Sequence, residues 1–119
     1  MSQPEEPLVP ERYVEAPDEV GNYAELGRVG ILTSENFVGH RIRVVEGLVQ
    51  NLGDQPLLSV ELRLTFRSVE GDAILEATES ALDTPLEPGA QRRYVFRFEN
   101  LPPEWDYRVP EVSIVRVGL

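Results

Sequence analysis

The sequence has no cysteine, no lysine and a single histidine, and none of its apolar runs approaches the length of a membrane span. Without cysteine there is no disulfide framework, no thiolate metal site and no thiol nucleophile. A helix needs ~20 apolar residues to cross a bilayer, so no membrane span is expected. The opening "MSQPEEPLVPERYVEAPDEV" lacks both the basic start and the apolar segment of a signal peptide. Taken as written, the chain is expected in the cytoplasm; a removed N-terminal anchor would place it outside the cytoplasm or at a membrane periphery. All eleven basic residues are arginine. A GC-rich genome accounts for that bias, and so does selection for planar, bidentate contacts at an interface.

What is abundant is acid. The formal charge is −10, and residues 1–26 hold seven carboxylates against Arg12 alone, which leaves the rest of the chain only mildly acidic. A surface of this sign is repelled by a phosphate backbone and by anionic lipid, so nucleic acid is not an expected partner. A length of 119 residues suits one domain. Residues 1–22 set Pro4, Pro7, Pro10 and Pro17 among carboxylates with few large apolar side chains. Prolines block helix interiors, and so little apolar surface does not offset the entropy of ordering. This stretch reads as an extended acidic arm, and residues 23–119 as the domain.

Within the domain the pattern is that of strands and turns. A first strand is expected around Arg28 to Ser34. In "HRIRVVEGLVQN" both alternating registers contain apolar residues; the set Val45, Gly47, Val49, Asn51 is expected inward, with a bulge near Val44–Val45 to reconcile the two. "NLGDQP" is a turn, in which Asn51 bonds local backbone, Gly53 accepts a positive φ and Pro56 ends the ladder. "SVELRLTFRS" has the period of two of a half-buried strand, with Val60, Leu62, Leu64 and Phe66 inward. "AILEATESAL" is short and lies between turn signals, which favours strand over helix. "RRYVFRFEN" alternates again, with Tyr94, Phe96 and Phe98 inward. "LPPEWDYRVP" is a connection with room for a helical turn at Pro103–Trp105, and "EVSIVRVGL" is a last strand with apolar residues for both faces. About six or seven strands separated by Gly, Pro, Asn and Asp turns predict an all-β antiparallel sandwich of immunoglobulin type.

The succession "EGLVQNLGDQPLLSVELRLTFRSVEGDAI … LEPGAQRRYVFRF … PEVSIVRV" resembles bacterial FxLYD-type immunoglobulin-like domains over about residues 28–117. Gly47, Asn51, Gly53, Val60, Phe66, Gly71, Pro88, Gly89, Phe96 and Phe98 stand at matching positions, while "FRSVEG" stands where the family has its Tyr-Asp pair. The resemblance implies an accessory module, often tethered outside the cytoplasm, with no catalytic residues to carry over.

The residues themselves point the same way. His40 has no readable nucleophile or ligand partners, so it reads as a surface or turn residue. No serine lies in a Gly-x-Ser-x-Gly elbow. Glu70, Asp72 and Asp54 would have to gather at one end of the sandwich to bind calcium, and turn chemistry explains them better. No catalytic residue, cofactor or metal is expected. In "PPEWDY", Trp105 either folds over an open end of the core or, with Tyr107, anchors a partner. Arg41, Arg43, Arg63, Arg67, Arg93 and Arg97 are expected on solvent-facing strand surfaces, where a row of them would hold an acidic segment of a partner or of the chain's own arm. The expected function is a non-enzymatic protein-interaction or assembly module. The expected partner contacts are Trp105, Tyr107, Arg63, Arg67, Arg93 and Arg97; the alternatives are an accessory subunit or soluble portion of a membrane-associated complex and, further off, an enzyme or carbohydrate-binding module.

Overall fold

The computed structural model describes residues 9–35 and 41–119. Its elements are β1 (Tyr13–Val14), α1 (Pro17–Val20), β2 (Ala24–Leu26), β3 (Gly30–Glu35), β4 (Arg41–Asn51), β5 (Ser59–Arg67), β6 (Ala73–Ser80), β7 (Gln91–Glu99) and β8 (Glu111–Gly118). They form two antiparallel four-stranded sheets. One runs β1-β8-β5-β6; in the other β4 pairs with β7 on one side and with β2 and β3 on the other. β2 meets residues 49–51 of β4 and β3 meets residues 41–46, so β2 and β3 lie end to end along the same edge. This all-β arrangement is compatible with a β-sandwich. No helix among the described residues is long and apolar enough to cross a membrane.

The alternation in β5 is realised as read: Val60, Leu62, Leu64 and Phe66 are fully buried. The Phe66 ring meets that of Phe98 on β7 edge-on at 5.0 Å, which joins the two sheets through one core. β4 turns the expected register inward, with Val45, Val49 and Asn51 fully buried and Leu48 exposed. Its pairings with β3 and β7 run without a break through Val44 and Val45, so the expected bulge is not there. A bulge lies in β8 instead, and a second register shift falls opposite β6 between Phe66 and Arg67. Glu61 pairs with Arg116 and Leu62 with Ile114, which leaves Val115 as the extra residue. That single residue lets Val112, Ile114 and Val117 share the inner face opposite Leu64, Leu62 and Val60.

Residues 9–22, read from the sequence as part of an extended arm, are integrated from Glu11 onward. β1 adds to the outer side of β8 through Tyr13↔Gly118 and Val14↔Val117, flanked by Glu11 N–H and Leu119 N–H bonds to Leu119 and Arg12 carbonyls. Val14 and Val20 are buried in the core. The prolines do not prevent a helical turn, because Pro17 occupies the first helical position, where its missing N–H has no partner to lose. Residues 1–8 of the expected arm lie outside the described residues, as does His40.

At one end of the core, Asn51 is a fully buried junction. Its side-chain amide donates to the Gln55 carbonyl at 2.8 Å and the Leu86 carbonyl at 2.9 Å, and its Oδ1 accepts from Gly53 N–H at 2.8 Å. Its backbone exchanges bonds with Ala90 and Gly89, beside a two-bond bridge between Leu57 and Leu86. Gly53 therefore serves by presenting its N–H. Positive φ falls instead at Gly71 (91°) and Gly89 (77°).

Two predictions follow from these contacts. Asn51→Asp keeps the shape but exchanges two donors for acceptors facing carbonyls, and should cost about 3 kcal/mol or more in chemical denaturation; a change under 1 kcal/mol, read on the same scale, contradicts the junction. Tyr94 is buried, its hydroxyl has no partner among the described residues, and a Cβ at Gly47 would lie 2.6 Å from its Cζ. Burial raises the phenol's pKa. The stability it confers is whole below the unfolded tyrosine value of about 10 and is lost as pH rises through the higher folded value. Tyr94→Phe should flatten that alkaline decline, in a range where no lysine or cysteine titrates, and hold or raise stability at neutral pH. An alkaline slope equal to that of the wild type would contradict it.

Candidate binding surfaces and an end cavity

The six residues singled out from the sequence are distributed over three places. Arg63 and Arg67 lie on the outer face of the β5 sheet, Arg93 and Arg97 on the outer face of the β4 sheet, and Trp105 and Tyr107 at the end of the core opposite Asn51.

The outer face of the β5 sheet is polar, and two of its arginines, Arg67 and Arg116, are paired, while Arg63 makes no ion pair among the described residues. Glu61, Arg63, Thr65 and Arg67 stand beside Arg116, Ser113 and Glu111 of β8 and Ser80, Thr78 and Glu76 of β6. Arg67 makes a bidentate contact with Glu111 at 3.2 and 3.1 Å, and the hydrogen bond, then the charge, raises the guanidinium's pKa above its ordinary value. Arg116 pairs with Glu61, reaches Glu15 at 3.7 Å and lies 4.4 Å from the Tyr13 ring centroid. Its pKa is likewise raised, by the Glu61 hydrogen bond first. The described part of the arm is thus held by Arg116, and by Arg12 bonding the Tyr23 hydroxyl at 2.6 Å, rather than by the expected arginine row.

The outer face of the β4 sheet differs. Register places Leu32, Val44 and Arg97 in one row, Gly30, Glu46 and Val95 in the next, and Leu48 beside Arg93. Leu32, Leu48 and Val95 are 56, 40 and 47% exposed. A groove of about 450 Å³ bounded by Arg28, Val29, Gly30, Leu48 and Arg93 runs into this strip. Arg93 is paired with Glu46. Arg97 makes no ion pair among the described residues, so an apolar strip is bordered here by cationic side chains.

At the far end, Trp105 folds over the core. The turn is a hydrogen-bonded one, Trp105 N–H to Pro102 carbonyl at 3.1 Å, and not the expected helical turn. A bridge to Ser68 fixes the residue to the end of β5, and the indole meets Phe66 edge-on at 5.9 Å. Trp105 is 4% exposed, so the capping reading holds for it, while Tyr107 is 64% exposed.

Arg43 corrects the sequence reading. It shares the register of Val45 and Val49 and pairs with inward-facing Phe98, so it points into the end of the core rather than to solvent, and is only 7% exposed. Its guanidinium carbon lies 5.3 Å from the Trp105 ring centroid and 5.9 Å from that of Tyr107. Arg43, Trp105 and Tyr107, with Asn100, Leu101 and Pro102, bound a cavity of about 210 Å³. Asn100 and Tyr107 have φ of 55° and 63°. For a bulky side chain such as tyrosine this left-handed geometry costs on the order of 1–3 kcal/mol. The inward aim of Arg43 was available from the alternation; the surrounding connection was not, because it has no period.

The carboxylates considered for calcium do not converge. Asp54 belongs to the turn before β5, and Glu70 and Asp72 to the turn after it, separated by a strand of nine residues, roughly 25 Å or more at ~3.3 Å per residue. Among the described residues no group of three His, Cys, Asp or Glu side chains is placed to hold a metal ion. No family model matches the chain, and neither a curated protein nor a solved structure does.

Proposed function

We propose that the chain is a non-enzymatic protein-interaction module with an immunoglobulin-like sandwich of the FxLYD type, and that it engages a partner protein through the outer face of the β4 sheet. Support for the fold type comes from the strand order, in which β4 pairs with β7 while β5 pairs with β6 and β8. Further support is that positions of the resemblance have definite structural work: Asn51 at its junction, Gly47 under Tyr94, Phe66 in the core, and Gly71 and Gly89 at positive φ. These turn and core roles carry no catalytic machinery, and fold alone assigns no activity.

The observation that carries the binding reading is the contrast between the two outer faces. A solvated antiparallel sheet is expected to be polar outside, as the β5 sheet is. Exposed Leu32, Leu48 and Val95 on the β4 sheet, with half-buried Val44 beside Leu32 and Glu46 among them, depart from that, and exposed apolar patches mark interaction sites. Arg28, Arg93 and Arg97 at the margin favour a partner with apolar side chains flanked by carboxylates.

Native cytosol and membranes should each be passed over immobilised wild type, the double variant Leu48→Glu/Val95→Glu, and Arg63→Glu on the opposite face. The expected outcome is one co-purifying protein reduced at least tenfold by the double variant and retained by Arg63→Glu, with melting temperatures showing all three folded. Equal retention on the double variant, or loss with Arg63→Glu alone, defeats the reading. A second copy of this chain as the species lost would replace the partner by self-association.

A further inference from the structure

Two of the side chains that bound the cavity at the Trp105 end carry a buried hydrogen-bond donor without an acceptor among the described residues. Among the described residues Arg43 Nη1 and Trp105 Nε1 have no partner, although the two residues are only 7 and 4% exposed. Leaving a buried donor unpaired costs about 1–3 kcal/mol, and more for a charged one. Nearly all buried polar groups in folded proteins are paired, so two orphaned donors on neighbouring residues that bound one cavity are a pattern in need of a cause. No carboxylate among the described residues lies within 4.0 Å of the Arg43 guanidinium, whereas Arg67, Arg92, Arg93 and Arg116 each have one.

The rings explain how the cation is tolerated. Trp105 and Tyr107 offer it their π faces, which stabilise a guanidinium without using its N–H groups. The donors therefore remain free for a ligand. Tyr107 is placed over Arg43 by a left-handed backbone that tyrosine rarely adopts, and such geometry clusters at ligand sites.

We propose that this cavity is a carboxylate-binding site, with Arg43 Nη1 and the Trp105 indole N–H as the two donors and Tyr107 as the exposed wall. A carboxylate accepts from both, and a guanidinium and a carboxylate form charge-assisted bonds about twice as strong as neutral ones. The ligand is either a free small carboxylate or the terminal carboxylate of a peptide. The site is separate from the β4-sheet face, so failure of either reading leaves the other standing.

The chain's only tryptophan supplies the readout, since its indole N–H gives a single resonance in a proton–nitrogen correlation spectrum. Full-length protein at pH 7 and constant ionic strength would be titrated with acetate, N-acetylglycine, N-acetylglycinamide and chloride. A saturable shift of that resonance with acetate and N-acetylglycine, but not with the amide or chloride, is expected. Tenfold tighter binding of N-acetylglycine than acetate identifies a peptide terminus; equal or weaker binding identifies a free small carboxylate. Arg43→Gln should weaken binding at least tenfold. Because that variant replaces a buried residue and its fold is at risk, Tyr107→Ala, at an exposed position, is the second variant and should weaken binding at least threefold. No saturable shift, an equal shift with the amide or chloride, or unchanged affinity in folded Tyr107→Ala overturns the proposal.

Discussion

The Asn51 carboxamide is the contact on which the arrangement of the two sheets most depends. Strand alternation buries an inner face on each sheet, but it does not decide how the sheets are joined at their ends. Asn51 does so at one end: it closes the turn that carries the chain from β4 toward β5, and its second N–H fixes the Leu86 carbonyl in the segment that leads to β7. The adjacent Leu57↔Leu86 bridge ties the same two segments through their backbones. A hydrophobic residue would fill the volume but leave the Gln55 carbonyl and the Gly53 N–H without the partner that Asn51 gives them, and the Leu86 carbonyl with its bond from Leu57 N–H alone, so the position demands an amide for reasons of hydrogen bonding rather than size.

The two outer faces show how one pleated surface serves different ends. On the β5 sheet, opposite charges stand next to one another in register, and the bonds they form satisfy the surface locally. Exposed pairs of that kind contribute little stability individually, so their consequence is solubility and a face with little left to offer. On the β4 sheet Leu32, Leu48 and Val95 stand among Glu46, Arg93 and Arg97, and these aliphatic side chains remain in contact with water at a cost of about 25 cal/mol per Å². The fold gains nothing from that exposure, which is why the asymmetry bears on function and not on stability.

How much of this was legible in the sequence depends on how unambiguous each alternation was. β5 and β7 were readable because Leu62 and Arg63, or Phe96 and Arg97, differ so strongly in polarity that only one register buries the apolar set. β4 was readable only as a choice, and Gly47 and Asn51 identified the correct register because neither suits a solvated strand face. In β8, "SIVRV" supplies apolar residues to both registers, so nothing local marks Val115 as the bulge; the pairing with Glu61 and Leu62 decides it. The arm misled because Pro17 breaks helix interiors yet suits a helix start. Val14 and Val20 are too few for a pattern and are buried only because β8 offers an unpaired edge. Of the end cavity, Trp105 was visible as an aromatic cap, whereas Arg43 was grouped with surface arginines although its position in the β4 register implied the reverse.

The two ends of the core make the physical point together. Both are places where strands stop and buried backbone and side chains must be completed by irregular chain. At the Asn51 end, the carboxamide is fully matched: both of its N–H groups and its Oδ1 are bonded to local backbone. At the Trp105 end, aromatic rings complete the packing but not the hydrogen bonding, and a charged side chain is buried to 7% exposure. Burying a cation is expensive unless it is paired or stabilised by surrounding groups, and π faces lessen that cost without removing it. A leucine at position 43 would stand beside Phe98 and Trp105 with no such cost. The presence of arginine there is therefore accounted for not by the needs of the core but by what its unpartnered N–H group can receive.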